Sequence, residues 1–473
     1  MLLNQALGLP IRQSDVDFVI PNLKEDLRLY VDPFLFYKSR NPAFQAVHAV
    51  LRRFFEVAID QIRQGTPEIA RRMMSFPEVD ETMLGHSKGS HRGRGMGKER
   101  GEVIHKEIVN NPDIQERGIR HLAEMQLLIA GVGPDLISDM CTNIAKPFFV
   151  DYTQRQCDIH GIPLEAGLCL KHVFDWEELD WDDAHVELPV NPLTEKPILL
   201  VPRAVVRKFV EIDYEDFWDR LYRYILREIE VRKSVQVLGR EPKITWKEIN
   251  EKYGFCKQAV IRVLHEEPDL RHEYVDEKEK TSIEVPEPVD ITEIAGADRE
   301  KTPVEELVAE LGKIRPGNKD AKKYEALLVR ILTRLFWPSL QDPHPQVSTV
   351  DGREIIDITF YNAADHGFWK DIKDRHGSTM VVVELKNMED LSNEEYFQIS
   401  ARLDSKRGMF GILVARKKDR LDVQRAHRRL NHESKVILTL TDDDLVRMLT
   451  DVAQGLSATM YLRGLYRKLL EES

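Results

Sequence analysis

Asp357, Glu384 and Lys386 have the residue types and the spacing for metal-assisted chemistry on a phosphodiester. Glu384 and Lys386 are two residues apart in 379-TMVVVELKN-387. Side chains at i and i+2 of a strand share a face, so the pair points one way and Leu385 points into the covering layer. Asp357 lies in the preceding strand-like segment, 353-REIIDITFYN-362, and joins the pair if the two strands are neighbours. Converging carboxylates repel each other and lose hydration. A hard divalent cation with oxygen ligands, Mg²⁺ above all, removes both objections. An adjacent lysine can orient an attacking water or steady a pentacovalent phosphate. A Glu-x-Lys pair alone is common on solvated sheet faces, but here it follows the apolar run Met380–Val383, which implies a strand covered on both sides.

The elements around these residues alternate. A helix (321-AKKYEALLVRILTRLF-336) precedes the Asp357 strand, and a helix (392-SNEEYFQISARLDS-405) follows the Glu384 strand. Then come a strand (409-MFGILVAR-416), a basic helix (419-DRLDVQRAHRRLN-431), a strand (435-KVILTL-440) and the segment 441-TDDDLVRMLTDVA-453. In that last segment Thr441 is placed to cap the helix, and three aspartates suit its positive end. The fold class is α/β, α+β over the whole chain: a C-terminal α/β/α sandwich on a small mixed sheet, preceded by a mostly helical mixed N-terminal region. The division read from texture is a sensing or positioning domain at 1–232, a helix-turn-helix-like segment at 233–265, an acidic Pro-containing linker at 266–303 and the chemistry-bearing domain at 304–473. The linker assignment rests on charge, prolines and few aromatics, which leave little surface to bury. A short helix at 303-PVEELVAELGKI-314 opens the last domain.

A helix glutamate, a strand aspartate, then Glu-x-Lys on the next strand resembles the PD-(D/E)XK, or restriction-endonuclease-like, nuclease superfamily. VVVELKN, the helix carrying Gln398, Arg402 and Leu403, and KRGMFGILVAR extend the likeness over roughly a third of the chain. The resemblance implies a restriction-endonuclease-like fold and a metal held by Asp357, Glu384 and the Leu385 carbonyl. It further implies Glu325 as an extra carboxylate touching metal or water, Lys386 as the catalytic lysine, and Gln398 as the polar residue that follows the core motif. Ile356 stands where the name-giving proline would be, a departure that leaves the carboxylate in place. The implied activity is an Mg²⁺-dependent endonuclease, with Mn²⁺ as a substitute, acting on double-stranded DNA in restriction or anti-phage defence. An RNase on the same fold and a non-cleaving nucleic-acid-binding or assembly protein are the alternatives.

Basic residues follow the motif directly, and Arg402, Arg407, Arg416 and Lys417 are the candidates for contacting a phosphate backbone. The competing reading is a solvated helix face. Upstream, 85-GHSKGSHRGRGMGKERG-101 is glycine-rich and basic without a Walker spacing, and reads as a surface loop or a phosphate contact. The Gly-Val-Gly in 128-LIAGVGPDLISDM-140 reads as an ordinary helix–helix turn in preference to a helix-hairpin-helix. Cys157, His160, Cys169 and His172 approach a zinc spacing. Cys169 and His172 fall on opposite faces of a strand-like segment, so buried thiols and unrelated histidines are preferred. Residues 245-TWKEINEKYGFCKQAVIRVL-264 fit two helices around Gly254, with Lys257, Gln258 and Arg262 on the second; helical packing is favoured over DNA readout, in part because Asn250 replaces a small apolar residue.

Composition sets the outer limits. Hydrophobic residues at 42% and charged residues at 31% fit a globular protein with several cores. No apolar run nears the ~18 residues of a membrane span, and no signal peptide is read at the start. Four cysteines make no disulfide framework, so a cytoplasmic location is expected. A net charge of −12 argues against indiscriminate nucleic-acid binding while allowing a local basic groove. Cutting both strands of a duplex needs two sites or two visits, so a homo-oligomer, dimer or higher, is expected.

Overall fold

Prolines and short polar caps punctuate the first half of the chain. In this computed structural model, which describes residues 1–85, 96–218, 243–253, 257–281, 304–348, 355–389, 391–418, 434–454 and 456–472 with isolated positions between 219 and 242, they start successive helices. Asp32 caps α1 (Pro33–Lys38), Asn41 caps α2 (Pro42–Arg63) and Asn111 caps α5 (Pro112–Arg117), each with proline at the first helical position. Between them lie α3 (Pro67–Met73) and α4 (Met96–Asn110). The long helix α2 buries Phe44, Val47, Leu51, Phe54, Phe55 and Ala58, the 3–4 spacing of an amphipathic face. Helices α6 (Pro134–Ile144) and α7 (Lys146–His160) run through the middle of this core. Strands β1 (Tyr30–Val31) and β4 (Val206–Arg207) form one small pair, and β2 (Glu165–Asp175) with β3 (Asp180–Leu188) form a long antiparallel hairpin. The apolar segment 197–202 is buried at Ile198–Val201, but it enters no ladder: only Pro197 and Pro202 make isolated bridges.

The segment read as a helix-turn-helix contains α8 (Trp246–Tyr253) and α9 (Lys257–Glu266); residues 254–256 lie outside the described set. Helix α9 buries Val260, Val263 and Leu264 in the N-terminal core, and Lys257 gives its ammonium to the Val132 carbonyl. The first part of the expected linker is instead helix α10 (Asp269–Lys280). Its charged sequence hid a packed face: Leu270, Tyr274 and Val275 are buried, and Arg271 finds Asp113 at 2.7 Å and Glu124 at 3.0 Å. Burial of a charge is tolerable when partners of opposite sign are supplied, and composition cannot report that. The rest of that expected linker, 282–303, and the expected basic helix at 419–431 lie outside the described residues, as do 86–95 of the glycine-rich segment.

The second half builds one sheet. Strands β5 (Leu340–Ser348), β6 (Ile355–Asn362), β7 (Met380–Lys386), β8 (Phe410–Ala415) and β9 (Val436–Thr441) stand side by side in sequence order. The β5–β6 and β6–β7 pairs are antiparallel, while β7–β8 and β8–β9 are parallel, so the sheet is mixed. Every residue of β8 and β9 is buried, as strands between two helical layers must be. One layer contains α11 (Val304–Lys313), α12 (Ala321–Phe336) and α15 (Asp442–Ala453), with α13 (Gly367–His376) and α16 (Ala458–Glu472) adding Trp369, Leu462 and Tyr466. The other face is covered by α14 (Asn393–Arg402), through Tyr396 and Ile399 against Val382, Leu413 and Ile437. Thr441 caps α15 as its sequence suggests, accepting from the Asp444 N–H. The arrangement is a general α/β/α sandwich on a mixed sheet behind a mostly helical N-terminal region. Asp342 N–H donates to Asp17 at 3.0 Å and Arg12 meets Glu306 at 2.9 Å, so the two halves touch. Among the described residues no helix is long and apolar enough to cross a membrane.

A carboxylate and lysine cluster at the end of the sheet

The β6–β7 ladder runs from the Tyr361–Met380 pair to the Ile358–Val383 pair. Asp357 and Glu384 are the residues that follow directly beyond that last pair. The Leu385 N–H donates to Asp357 Oδ2 at 2.8 Å, tying the carboxylate to β7. In a strand the N–H and C=O of one residue point to the same edge, so the Leu385 carbonyl also faces the β6 side. The Leu385 side chain enters the core on the opposite face from Glu384. Glu384 is fully buried, with Lys386 Nζ 2.8 Å from its Oε1 and Arg402 paired with its Oε2. Lys386 keeps 22% of its side chain exposed, so it links the interior to solvent.

Electrostatics extend the cluster. Burial raises the Asp357 pKa, opposed by the Leu385 N–H, Lys386 and Arg402. Burial also raises Glu325, half-buried on α12, and the charge of Asp357 pushes it the same way, while Lys322 and Lys386 oppose the rise. Glu325, Asp357 and Lys386 therefore share one field. Glu395 belongs at the rim. It closes the capping box of α14 on Ser392, whose N–H it accepts at 2.7 Å; burial raises its carboxyl, but the Ser392 hydroxyl and N–H, with a lesser contribution from Lys386, hold it below the usual range. The Ser392-x-x-Glu395 pattern is visible in the sequence, though its proximity to Lys386 is not.

The other sequence candidates separate. Gln398 is exposed on α14, within one turn of Glu395 and Arg402 on the same side of the helix. Arg402 and Arg416 are not rim residues, contrary to expectation: both are buried. Arg402 is turned inward by the face of α14 that meets the sheet, onto Glu384. Arg416, just beyond β8, donates to the carbonyls of Leu311 and Ile314, pairs with Asp442 at 2.9 Å and lies over the Tyr324 ring. It staples α11, α12 and α15 to the sheet. Arg407 donates to the Arg402 carbonyl at 2.7 Å and is partly exposed; Lys417 is 69% exposed and pairs with Glu389 at 3.1 Å. The zinc spacing does not assemble. Cys157 is buried on α7, Cys169 is exposed on the hairpin and so is not the buried thiol expected, and His160 lines a cavity of about 470 Å³ with Arg330 and Glu310. Gly131 and Gly133 form a turn before the buried helix α6.

Among the described residues, no group of three or more His, Cys, Asp or Glu side chains is gathered closely enough to hold a metal ion. The donor types at the sheet end nevertheless suit a hard divalent cation: carboxylates on the adjoining ends of β6 and β7, a backbone carbonyl, and a third carboxylate within electrostatic reach of Asp357. Burial is the main cause of the raised pKa at both Asp357 and Glu325, and at Glu325 the neighbouring charge of Asp357 adds to it.

A family model described as "Domain of unknown function (DUF8370)" matches residues 8–213. A curated Escherichia coli (strain K12) protein, "Putative transposon gamma-delta 80.3 kDa protein", is 30% identical over 122 residues, which cover 25% of this chain and 17% of that protein. No solved structure matches.

Proposed function

We propose that the chain is a metal-dependent endonuclease, cutting DNA through the cluster at the end of β6 and β7, with the N-terminal half positioning the target. The observation that carries the reading is the convergence of Asp357, Glu384 and Lys386 at one sheet end, with Glu325 within their field. Asp357, Glu384 and the Leu385 carbonyl would hold Mg²⁺ or Mn²⁺. Bound there, the ion supplies Lewis-acid stabilisation of the phosphate and a more acidic water. Lys386, partly exposed at the mouth, is placed to meet the anionic phosphate oxygens as charge builds on them. Glu325, half-buried and within the field of Asp357 and Lys386, would take a proton from water beside the site. DNA is preferred over RNA because the partial relative is named for a transposon. Restriction or anti-phage defence is the setting suggested by the motif resemblance. The buried Glu384–Arg402 pair favours a second reading, a nuclease-like fold that binds nucleic acid without cutting it.

The test is the purified full chain with supercoiled DNA, linear DNA, single-stranded DNA and RNA, each with Mg²⁺ or Mn²⁺. Asp357→Asn and Lys386→Met should each lower DNA cleavage by about a hundred- to a thousandfold while the circular dichroism spectrum is kept. Cleavage surviving both substitutions would sink the site. Binding without cleavage under every condition would select the second reading.

A further inference from the structure

The two cations on Glu384 differ in freedom. Lys386 touches Oε1 and is 22% exposed on a flexible four-carbon stem, so it can swing toward solvent. Arg402 pairs with Oε2, is 3% exposed, and is fixed on α14 beside Ile399, which packs in the layer under that helix. Withdrawing it would leave a fully buried carboxylate oxygen facing no cation, a costly state. Asp357 has a similar asymmetry, with Oδ2 already accepting from the Leu385 N–H.

We propose that Arg402 is a positioning residue that holds one oxygen of Glu384 permanently, so that Glu384 offers a metal only Oε1 and the site takes one divalent ion rather than two. The proposal rests on the metal-dependent reading above. Charge balance points the same way. Asp357, Glu384 and Glu325 are set against two cations, the fixed Arg402 and the mobile Lys386, a net of one negative charge, while Glu395 and Lys322 at the rim offset each other. One divalent ion and one phosphodiester bring the occupied site to neutrality; a second ion would leave it strongly positive. Without Arg402, Glu384 could use both oxygens, and a cation would be gone from beside the metal. Both changes strengthen metal binding.

The experiment is Mn²⁺ titration of the full chain by calorimetry and by the electron paramagnetic resonance of free Mn²⁺, counting only the ions lost in Asp357→Asn. One ion per chain is expected for the native protein. Arg402→Gln should bind Mn²⁺ about tenfold more tightly or admit a second ion, whereas Arg402→Lys, which keeps the charge, should stay within about threefold of the native affinity. Two ions in the native protein, or a folded Arg402→Gln with native affinity and stoichiometry, would overturn the role of Arg402 and leave the metal reading standing. No Mn²⁺ binding at all would overturn the metal reading and this proposal with it. If Arg402→Gln does not fold, native stoichiometry decides alone: one ion supports the proposal and two overturn it.

Discussion

The N-terminal half and the sheet end both bury charge, and they do so in opposite ways. In the N-terminal half two networks pair their buried charges. Arg271, fully buried, meets both Asp113 and Glu124, and Lys278 meets Glu211 at 2.9 Å and Asp216 at 2.8 Å. At the sheet end, three carboxylates share two cations, one of which is partly exposed and replaceable. A closed network holds elements together and offers nothing to a ligand. An open one, with excess charge of one sign at a surface, has a reason to bind an ion of the other sign.

Breaking a closed network should have the largest effect. Arg271→Ala strands Asp113 and Glu124 without their buried partner, and should destabilise the protein by about 3–5 kcal/mol in urea denaturation, with loss of α10 contacts seen as faster hydrogen exchange. A smaller loss than the ~1 kcal/mol of an exposed pair would mean that the network is not closed. Next comes the buried contact between the halves. Burial raises the Asp17 pKa to about 7 despite neighbouring Arg203. The folded state therefore holds this proton over a pH range in which the unfolded chain, with a carboxyl near 3.8, has released it. Its contribution is fully present below about pH 4 and is lost as pH rises through about 7. Between pH 5 and 7.5, native stability should fall relative to Asp17→Asn by on the order of 2 kcal/mol, measured as the difference between their urea midpoints at each pH.

The open cluster should respond with the opposite sign. Glu325→Gln removes one of two mutually repelling carboxylates, so the melting temperature should rise by about 1–3 °C, while cleavage falls. A lowered melting temperature would place Glu325 among the closed, structural charges. The smallest effect is expected at Lys417. Lys417→Ala loses only an exposed pair with Glu389 and should change stability by less than about 0.5 kcal/mol. Any weakening of DNA binding should be similar across sequences and should reduce the salt slope by about one.

Much of the cluster was legible because it depends on short-range geometry. The two-residue spacing of Glu384 and Lys386 sets a common face wherever the strand lies, and the apolar run before them sets a buried strand. The Thr441 cap was equally local. The basic residues after Gln398 were harder to read. Spacing places Arg402 on a face of α14, but it cannot say whether that face meets water or the sheet. Arg416 follows a strand that is buried throughout, and its partners come from α11, α12 and α15, segments as far as 105 residues away. Helix α10 was hidden for a related reason: its charges look like solvent-seeking residues until Asp113, Glu124 and Glu211 are brought beside them. Strand β5 and the helices α13 and α16 carried no residue that drew notice on chemical grounds, and they emerged only with the sheet.

The sequence by itself determined the identity of Asp357, Glu384 and Lys386, the common face of the last two, and the alternation of elements around them, because each follows from backbone periodicity and local propensity. Only the tertiary structure decided which cations meet Glu384, that Arg402 and Arg416 are buried, and that Glu325 and Glu395 come within the field of Lys386. Those outcomes depend on desolvation and on partners distant along the chain, and burial turns an ordinary surface arginine into a fixed counter-ion.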